Sequence, residues 1–150
     1  MKKRKIVKLI LLVFVIVLVA IQLIPVDRSV PDADPNNDFL VAIETSESIK
    51  QLMTNACYDC HSYQTKYPWY AYIAPVSMWL QGHVKDGRKH LNFSEWATYD
   101  AESRDHKLEE MIENVHDGLM PLNSYLKAHP EARLTDAQRQ ELTDWFKLVR

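Results

Sequence analysis

The chain has 150 residues, 47% of them hydrophobic and 25% charged, which is typical of one folded domain and excludes wholesale disorder. Its two cysteines are too few for a multi-disulfide scaffold or a four-cysteine zinc site, and its three glycines form no phosphate-binding loop. Five basic residues and no acidic ones precede Asp27, whereas the rest carries 13 basic and 20 acidic side chains, a net charge of −7 that argues against nucleic-acid binding.

The first predicted element is a membrane segment. Residues 6–24 are apolar apart from Lys8 and Gln22, and a helix of that length, at about 1.5 Å per residue, matches a hydrocarbon core of about 30 Å. The basic tail at residues 1–5 predicts a cytoplasmic N-terminus, so the rest of this single-pass inner-membrane protein is expected in the periplasm. A cleavable signal peptide is the alternative, but its apolar stretch would be shorter and would end at a small-residue cleavage site.

A tether and an all-helical domain are predicted to follow. Residues 25–38 contain three prolines and several acidic side chains, a composition typical of an extended linker. The domain is expected at residues 39–150. We predict an all-α fold there, because no two-residue alternation of apolar and polar residues and no hairpin turn is found.

Four amphipathic helices are predicted in this domain. They lie at residues 46–56, 75–89 and 103–117 and, for the last, from Thr135 onward. Thr135 and Gln138 have the spacing of a capping box. Gly118 is expected to end the third helix, and Ser94 is expected to cap a short turn at residues 95–98.

Both cysteines lie in one pentapeptide, Cys57-Tyr58-Asp59-Cys60-His61, which has the CxxCH pattern of covalent haem attachment. Two thiols at this spacing can reach the two vinyl groups on one porphyrin edge and form thioethers. The adjacent His61 can then bring its Nε2 to the iron as the proximal ligand. The motif therefore predicts one haem c with its iron, bound by Cys57, Cys60 and His61.

Three other interpretations of the motif remain open. A CxxC redox dithiol would suit an exported protein, although such a motif usually opens a helix after a strand and here follows a predicted helix. A disulfide between Cys57 and Cys60 would close a very small strained loop. A zinc site built on Cys57, Cys60 and His61 would need a fourth ligand, which another histidine could supply.

Met120 is the predicted distal iron ligand. It lies in the sequence Asp-Gly-Leu-Met-Pro directly after the third predicted helix, where a thioether could approach the iron from the face opposite His61. The alternative for Met120 is a methionine that fills the core. His83, on the apolar face of the second predicted helix, is the next candidate. Weaker candidates are His116, beside the same loop, and His90, His106 and His129, which we expect at the surface or at helix ends.

An aromatic run follows the motif. Its members are Tyr63, Tyr67, Trp69, Tyr70, Tyr72 and, just beyond, Trp79. They are expected either to pack in the core or to form an apolar wall that keeps water from a porphyrin. The second predicted helix adds an apolar face at helical spacing, made of Val76, Trp79, Leu80, His83 and Val84.

Several stretches resemble the small bacterial haem-binding domain proteins that carry a single CxxCH motif. They are CYDCHS at 57–62, YPWYAYIAPVS at 67–77, GRKHLNFSEW at 87–96, Met120-Pro121, and HPEARLT at 129–135. Together they cover nearly all of the predicted domain, and the apolar segment in front of it also fits. The resemblance implies haem c binding and electron transfer, with His61 as the proximal ligand and, by position, Met120 as the distal ligand.

These observations together predict a cytochrome c-like, all-α haem domain behind an N-terminal transmembrane helix. Its expected function is one-electron transfer at the periplasmic face of the membrane, with a redox partner protein and no enzymatic reaction. Two alternatives are a peroxidase-like haem enzyme and a haem-based redox or gas sensor. Either would need an open or exchangeable sixth position on the iron.

Overall fold

Helices account for all the regular structure in residues 2–150, which are the residues that the computed structural model describes. The α-helices are α1 (Lys2–Ile21), α2 (Phe39–Ala42), α3 (Glu47–Ala56), α4 (Tyr58–His61), α5 (Val76–His90), α6 (Ala101–His116) and α7 (Asp136–Val149). Short 3₁₀ helices lie at Pro35–Asn37, Trp69–Tyr72, Phe93–Thr98, Tyr125–Lys127 and Pro130–Ala132. The predicted all-α class is therefore confirmed for this part of the chain. Met1, the first residue of the predicted basic tail, lies outside it.

The chain divides into two compact units. One contains the residues up to Ser29 together with Tyr67–His83, and the other contains Val30–Lys66 and Val84–Arg150. Helix α5 contributes its first eight residues to the first unit and the remainder to the second.

In the first unit, α1 carries most of the predicted membrane segment, residues 6–24. Every apolar side chain from Ile6 to Val17 is at least 50% exposed. Within residues 2–150, no helix has the combination of length and apolar character that crossing a bilayer requires. The transmembrane helix therefore stays a prediction.

The second unit is built around one apolar core. Its buried members are Phe39, Ile49, Met53, Ala56, Tyr58, Phe93, Trp96, Leu108, Met111, Val115, Leu134, Leu142 and Phe146. They come from α2, α3, α4, α6 and α7, from the 3₁₀ helix Phe93–Thr98, and from the segment before α7. Phe39 lies at the centre, with its ring 4.5 Å from Trp96 and 5.3 Å from Phe93 between centroids. This core supports the short helix α4, which contains the end of the CxxCH motif.

Side-chain caps fix where the helices of the second unit begin. Ser46 accepts a hydrogen bond from the backbone of Ile49 at the start of α3, and Thr135 and Gln138 form the predicted capping box at α7. Gly118 ends α6 with a φ of 72°, as predicted for a left-handed glycine. The prediction that Ser94 caps the turn at residues 95–98 is wrong.

The cap of the turn at residues 93–98 is Asn92, whose side chain accepts from the backbone N–H of Ser94 at 3.1 Å. The hydroxyl of Ser94 is used elsewhere, because it accepts a hydrogen bond from the backbone of Tyr63 at 3.0 Å. Both Asn92 and Ser94 have a residue type and position suitable for a cap. The hydroxyl of Ser94 binds the backbone of Tyr63, and the side chain of Asn92 caps the turn.

Candidate haem site

The CxxCH motif forms a single helical turn. Cys57 ends α3 and also precedes α4, and its carbonyl oxygen accepts hydrogen bonds from the backbone N–H groups of Cys60 (3.2 Å) and His61 (3.0 Å). The two cysteines and the histidine are thus held by one backbone turn. Both thiols are free. The motif follows α3 directly, as predicted, and no strand precedes it in the described chain.

His61 is oriented by the C-terminal end of α5. Its Nδ1 lies 3.1 Å from the carbonyl oxygen of Gly87 and 3.2 Å from that of Leu91. Because a carbonyl oxygen can only accept, Nδ1 carries the proton, and the lone pair is on Nε2. Within residues 2–150 no hydrogen bond involves Nε2. Burial lowers the pKa of His61, which keeps the ring neutral and able to bind a metal.

Gly87 permits the close approach of α5 to the motif. A Cβ atom added at this position would lie 2.7 Å from the carbonyl oxygen of Cys60, closer than any side chain tolerates. The backbones of α5 and α4 are therefore in direct contact beside His61. Sequence reasoning missed Gly87, although a glycine inside a helix, which costs about 1 kcal/mol relative to alanine, often marks such an approach.

The environment of the thiols differs from that of a redox dithiol. Burial raises the pKa of Cys57 to about 12, and the neighbouring Cys60 adds to this shift. Burial likewise raises the pKa of Cys60 to about 11, and the charge of Asp59 adds to that shift. Redox-active CxxC pairs have a lowered pKa at the attacking thiol. The Sγ of Cys57 also lies 4.0 Å from the Sδ of the fully buried Met53. These thiols are protonated and weakly nucleophilic at neutral pH.

Arg88 fixes the loop that leaves the motif. Its Nε donates to the carbonyl oxygen of Ser62 at 2.8 Å, and its Nη2 donates to the hydroxyl of Thr65 at 2.9 Å. The guanidinium also lies 5.2 Å from the centroid of the Tyr63 ring. Since Arg88 adjoins Gly87, one turn of α5 approaches both neighbours of His61, Cys60 and Ser62.

Asp59, inside the motif, connects it to the chain beyond Met120. One carboxylate oxygen accepts from the backbone of Lys66 at 2.9 Å, and the other accepts from the hydroxyl of Tyr125 at 2.7 Å. Burial, followed by the hydrogen bond to Asp59, raises the pKa of Tyr125, so its hydroxyl remains a donor. Sequence reasoning missed this pair, because no local pattern links the two residues.

Met120 lies in a loop that is held by backbone hydrogen bonds. The carbonyl oxygen of Asn114 accepts from the N–H groups of both Leu119 (2.9 Å) and Met120 (3.0 Å). The peptide bond between Met120 and Pro121 is cis, and the Met120 side chain is half-buried. No described contact joins its thioether to His61 or to either cysteine.

The other candidate ligands have other partners. His83 belongs to the first unit, where its Nδ1 lies 2.9 Å from the carbonyl oxygen of Trp79 and its ring packs against the Trp79 indole. His116 and His106 are exposed beside acidic residues, and the exposed His90 lies at the end of α5. His129 lies at a helix end, directly before the 3₁₀ helix Pro130–Ala132, where its side chain is only 15% exposed and stacks on the ring of Tyr125.

The aromatic run does not pack in a core as one alternative predicted. Trp69, Tyr72 and Trp79 are 75%, 60% and 52% exposed, although Tyr63, Tyr67 and Tyr70 are half-buried. The predicted apolar face of α5 is only partly buried, because Val84 is buried but Val76 is 41% exposed. Packing within the described residues therefore leaves four of these side chains exposed, namely Trp69, Tyr72, Val76 and Trp79.

The donor set fits a haem group. Two free thiols and a neutral imidazole with an available Nε2 lie in one turn, and α5 approaches that turn closely through Gly87. These residues could form two thioether links and one iron bond. Within residues 2–150, no group of three or more His, Cys, Asp and Glu side chains is arranged to hold a metal ion.

The chain was compared with known protein families, curated proteins and solved structures. The family described as haem-binding domain matches residues 16–148, which include the whole motif, the Met120 loop and all of α2 to α6. No curated protein and no solved structure matches the chain. The family match covers far more than half of the chain and agrees with the donor set at the CxxCH turn. The chain therefore belongs to the haem-binding domain family.

Proposed function

We propose that the chain is a monohaem c-type cytochrome domain that carries single electrons and catalyses no substrate reaction. The observation that carries the proposal is the orientation of His61, whose Nδ1 donates to Gly87 and Leu91 and whose Nε2 stays available beside Cys57 and Cys60. When bound, the haem supplies an iron that holds or releases one electron.

The chain's own residues perform three tasks in this proposal. The thiols of Cys57 and Cys60 form the covalent links, and their burial keeps them protonated until that reaction. His61 serves as the proximal ligand, and the carbonyl oxygens that accept from its Nδ1 increase its basicity. The same interaction fixes the orientation of its ring.

Met120 is proposed as the distal ligand. Two hydrogen bonds to Asn114 and the left-handed turn at Gly118 hold its loop, so little conformational freedom is left to lose on ligation. Tyr125, five residues later, is bonded to Asp59 in the motif. A histidine and a methionine together raise the reduction potential relative to two histidines. His83 is the alternative ligand.

We further propose attachment to the bacterial inner membrane through residues 6–24, with the haem domain in the periplasm. The support is the exposed apolar surface of α1 together with the exposed basic residues at its start, Lys3, Arg4 and Lys5. The acidic remainder of the chain, with its net charge of −7, favours a basic redox partner protein.

The test uses the full chain, produced in a host that matures c-type cytochromes. We expect the peptide that spans Cys57–His61 to carry the mass of one haem, and the protein to show a six-coordinate low-spin spectrum and a one-electron redox titration. An unmodified peptide would refute covalent attachment. Strong binding of carbon monoxide or peroxide by the resting protein would favour the enzyme or sensor alternatives.

Three variants identify the distal ligand. Met120→Ala should lose the charge-transfer band of thioether-bound ferric haem and gain carbon monoxide binding. Met78→Ala, which removes an exposed thioether of the first unit, should change neither property. If His83→Ala gives the effect expected of Met120→Ala, His83 is the ligand.

A further inference from the structure

We propose that the segment Trp69–Trp79 is a lipid-contacting surface that lies in the headgroup region of the bilayer that holds α1. The inference rests on the membrane attachment proposed above. It extends that proposal, because it assigns lipid contact to a part of the chain that lies outside the apolar N-terminal run.

The segment exposes large apolar side chains at the surface. Six large apolar or aromatic side chains in this segment lie at the surface: Trp69 (75% exposed), Tyr72 (60%), Ile73 (46%), Val76 (41%), Met78 (38%) and Trp79 (52%). Scattered exposed apolar residues are ordinary, but a concentration of them within eleven consecutive positions marks an interaction surface. The segment therefore needs a partner.

The segment is hydrogen-bonded directly to the residue that follows α1. The side chain of Gln22 makes two hydrogen bonds with the backbone of Ala74: its Nε2 donates to the carbonyl oxygen, and its Oε1 accepts from the N–H, both at 3.0 Å. Gln22 thereby pairs with this backbone as an adjacent strand would. The segment and the end of α1 lie together within one unit.

A second contact strengthens this connection. The Nη1 of Arg28 donates to the carbonyl oxygen of Ala71 at 3.2 Å, and its guanidinium lies 4.4 Å from the centroid of the Tyr72 ring. Tryptophan, tyrosine and arginine have apolar bodies and polar ends, and they are the residues that the membrane–water interface favours. Because the segment contacts the chain directly after the apolar helix α1, its position favours lipid over another protein.

The charges of α1 support the same occupant. The exposed Lys3, Arg4 and Lys5 lie at one end of its apolar run, and the aromatic segment lies at the other. Both ends of the run thus carry residues that suit a headgroup region, and the basic end complements anionic lipids. The apolar side chains between the two ends are at least half exposed from Ile6 to Val17.

The experiment is photo-crosslinking of the full-length haem-loaded protein in vesicles. The vesicles contain phosphatidylcholine, phosphatidylglycerol and a phospholipid with a diazirine near its headgroup, and adducts are mapped by mass spectrometry. We expect adducts in α1 and in the segment 69–79. Helix α7 should give none and is the internal control, because it carries an isolated exposed apolar side chain, Leu148 (82% exposed).

A paired variant sharpens the result. Trp69→Gln with Trp79→Gln should reduce the adduct yield of the segment to that of α7 and leave the adducts in α1 and the haem spectrum unchanged. Adducts in α1 alone would refute the inference but leave membrane attachment intact. Adducts in neither region would refute both.

Discussion

Arg139 of α7 holds the backbone of Met120. Its Nη1 donates to the carbonyl oxygen of Met120 at 2.7 Å and to that of Val115, at the end of α6, at 2.9 Å. One charged group thus joins the last helix to both sides of the turn that precedes the proposed distal ligand. This is the contact most directly able to set where the Met120 thioether lies.

Replacement of Arg139 by methionine should therefore weaken Met120 ligation. The change keeps the apolar stem and removes two hydrogen bonds from a charged donor, each typically worth about 1.5–3 kcal/mol. We expect a weaker thioether charge-transfer band, a lower reduction potential and new carbon monoxide binding. Arg133→Met, at an exposed arginine, is the control. An unchanged band in a natively folded Arg139→Met protein would contradict the positioning role.

Gly87→Ala should disturb the CxxCH turn, because the added methyl group would meet the carbonyl oxygen of Cys60 at 2.7 Å. Overpacking of this kind costs about 1–3 kcal/mol. Gly82→Ala, in the same helix, has nothing within 4 Å and should gain up to about 1 kcal/mol from helix propensity. Urea unfolding and the yield of covalent haem measure both effects, and equal behaviour of the two variants would refute the close approach.

Tyr125→Phe should affect the haem site as well as stability. Loss of its hydrogen bond to Asp59 is expected to cost about 1–3 kcal/mol and to release the chain after Met120 from the motif. Tyr67→Phe is the control, since Tyr67 lies outside the motif and donates a hydrogen bond to the side chain of Gln81 at 3.2 Å. Both variants should melt earlier, but only Tyr125→Phe should alter the haem spectrum. An unchanged haem spectrum in Tyr125→Phe would show that the role assigned to Tyr125 is wrong.

The stability of the N-terminus of α6 should decrease at acidic pH. Asp100 caps this helix, and its hydrogen bond from the backbone of Ser103 lowers its pKa below the ordinary value of 3.8. A lowered pKa means that the carboxylate contributes stability above pH 3.8 and that this contribution is lost as the pH falls further.

Asp100→Asn keeps a capping side chain and removes the titrating group. The variant should therefore lose less stability than the wild type as the pH falls below 3.8. At pH 7 the two proteins should unfold with similar cooperativity. Acid unfolding followed by circular dichroism measures the difference, with Asp86→Asn in α5 as a control. Identical acid unfolding of Asp100→Asn and the wild type would rule out this contribution.

Local patterns predicted much of this structure. The helix α3, the capping box of α7 and the left-handed Gly118 depend on residues a few positions apart, and each was found where the spacing placed it. The CxxCH turn is local in the same sense. Covalent haem attachment and the role of Met120 stay predictions.

The supporting contacts of the site could not be predicted in this way. The pairs Gly87–Cys60, Tyr125–Asp59 and Arg139–Met120 join parts of the chain that are distant in sequence. Their geometry depends on how the helices pack, and nothing in the spacing of either partner specifies it. The choice of Asn92 over Ser94 as a cap has the same origin, because the contact of Ser94 with Tyr63 is also non-local.

The two carbonyl oxygens that share the Nδ1 proton of His61 have an electronic consequence. An imidazole ring whose Nδ1 lies between the carbonyl oxygens of Gly87, in α5, and Leu91, directly after α5, does not rotate freely about its Cβ–Cγ bond. The polypeptide therefore fixes the orientation of the imidazole plane about this bond. If His61 binds a low-spin ferric haem, as proposed, this orientation would select the iron d-orbital that holds the unpaired electron and would thereby set the axes of magnetic anisotropy.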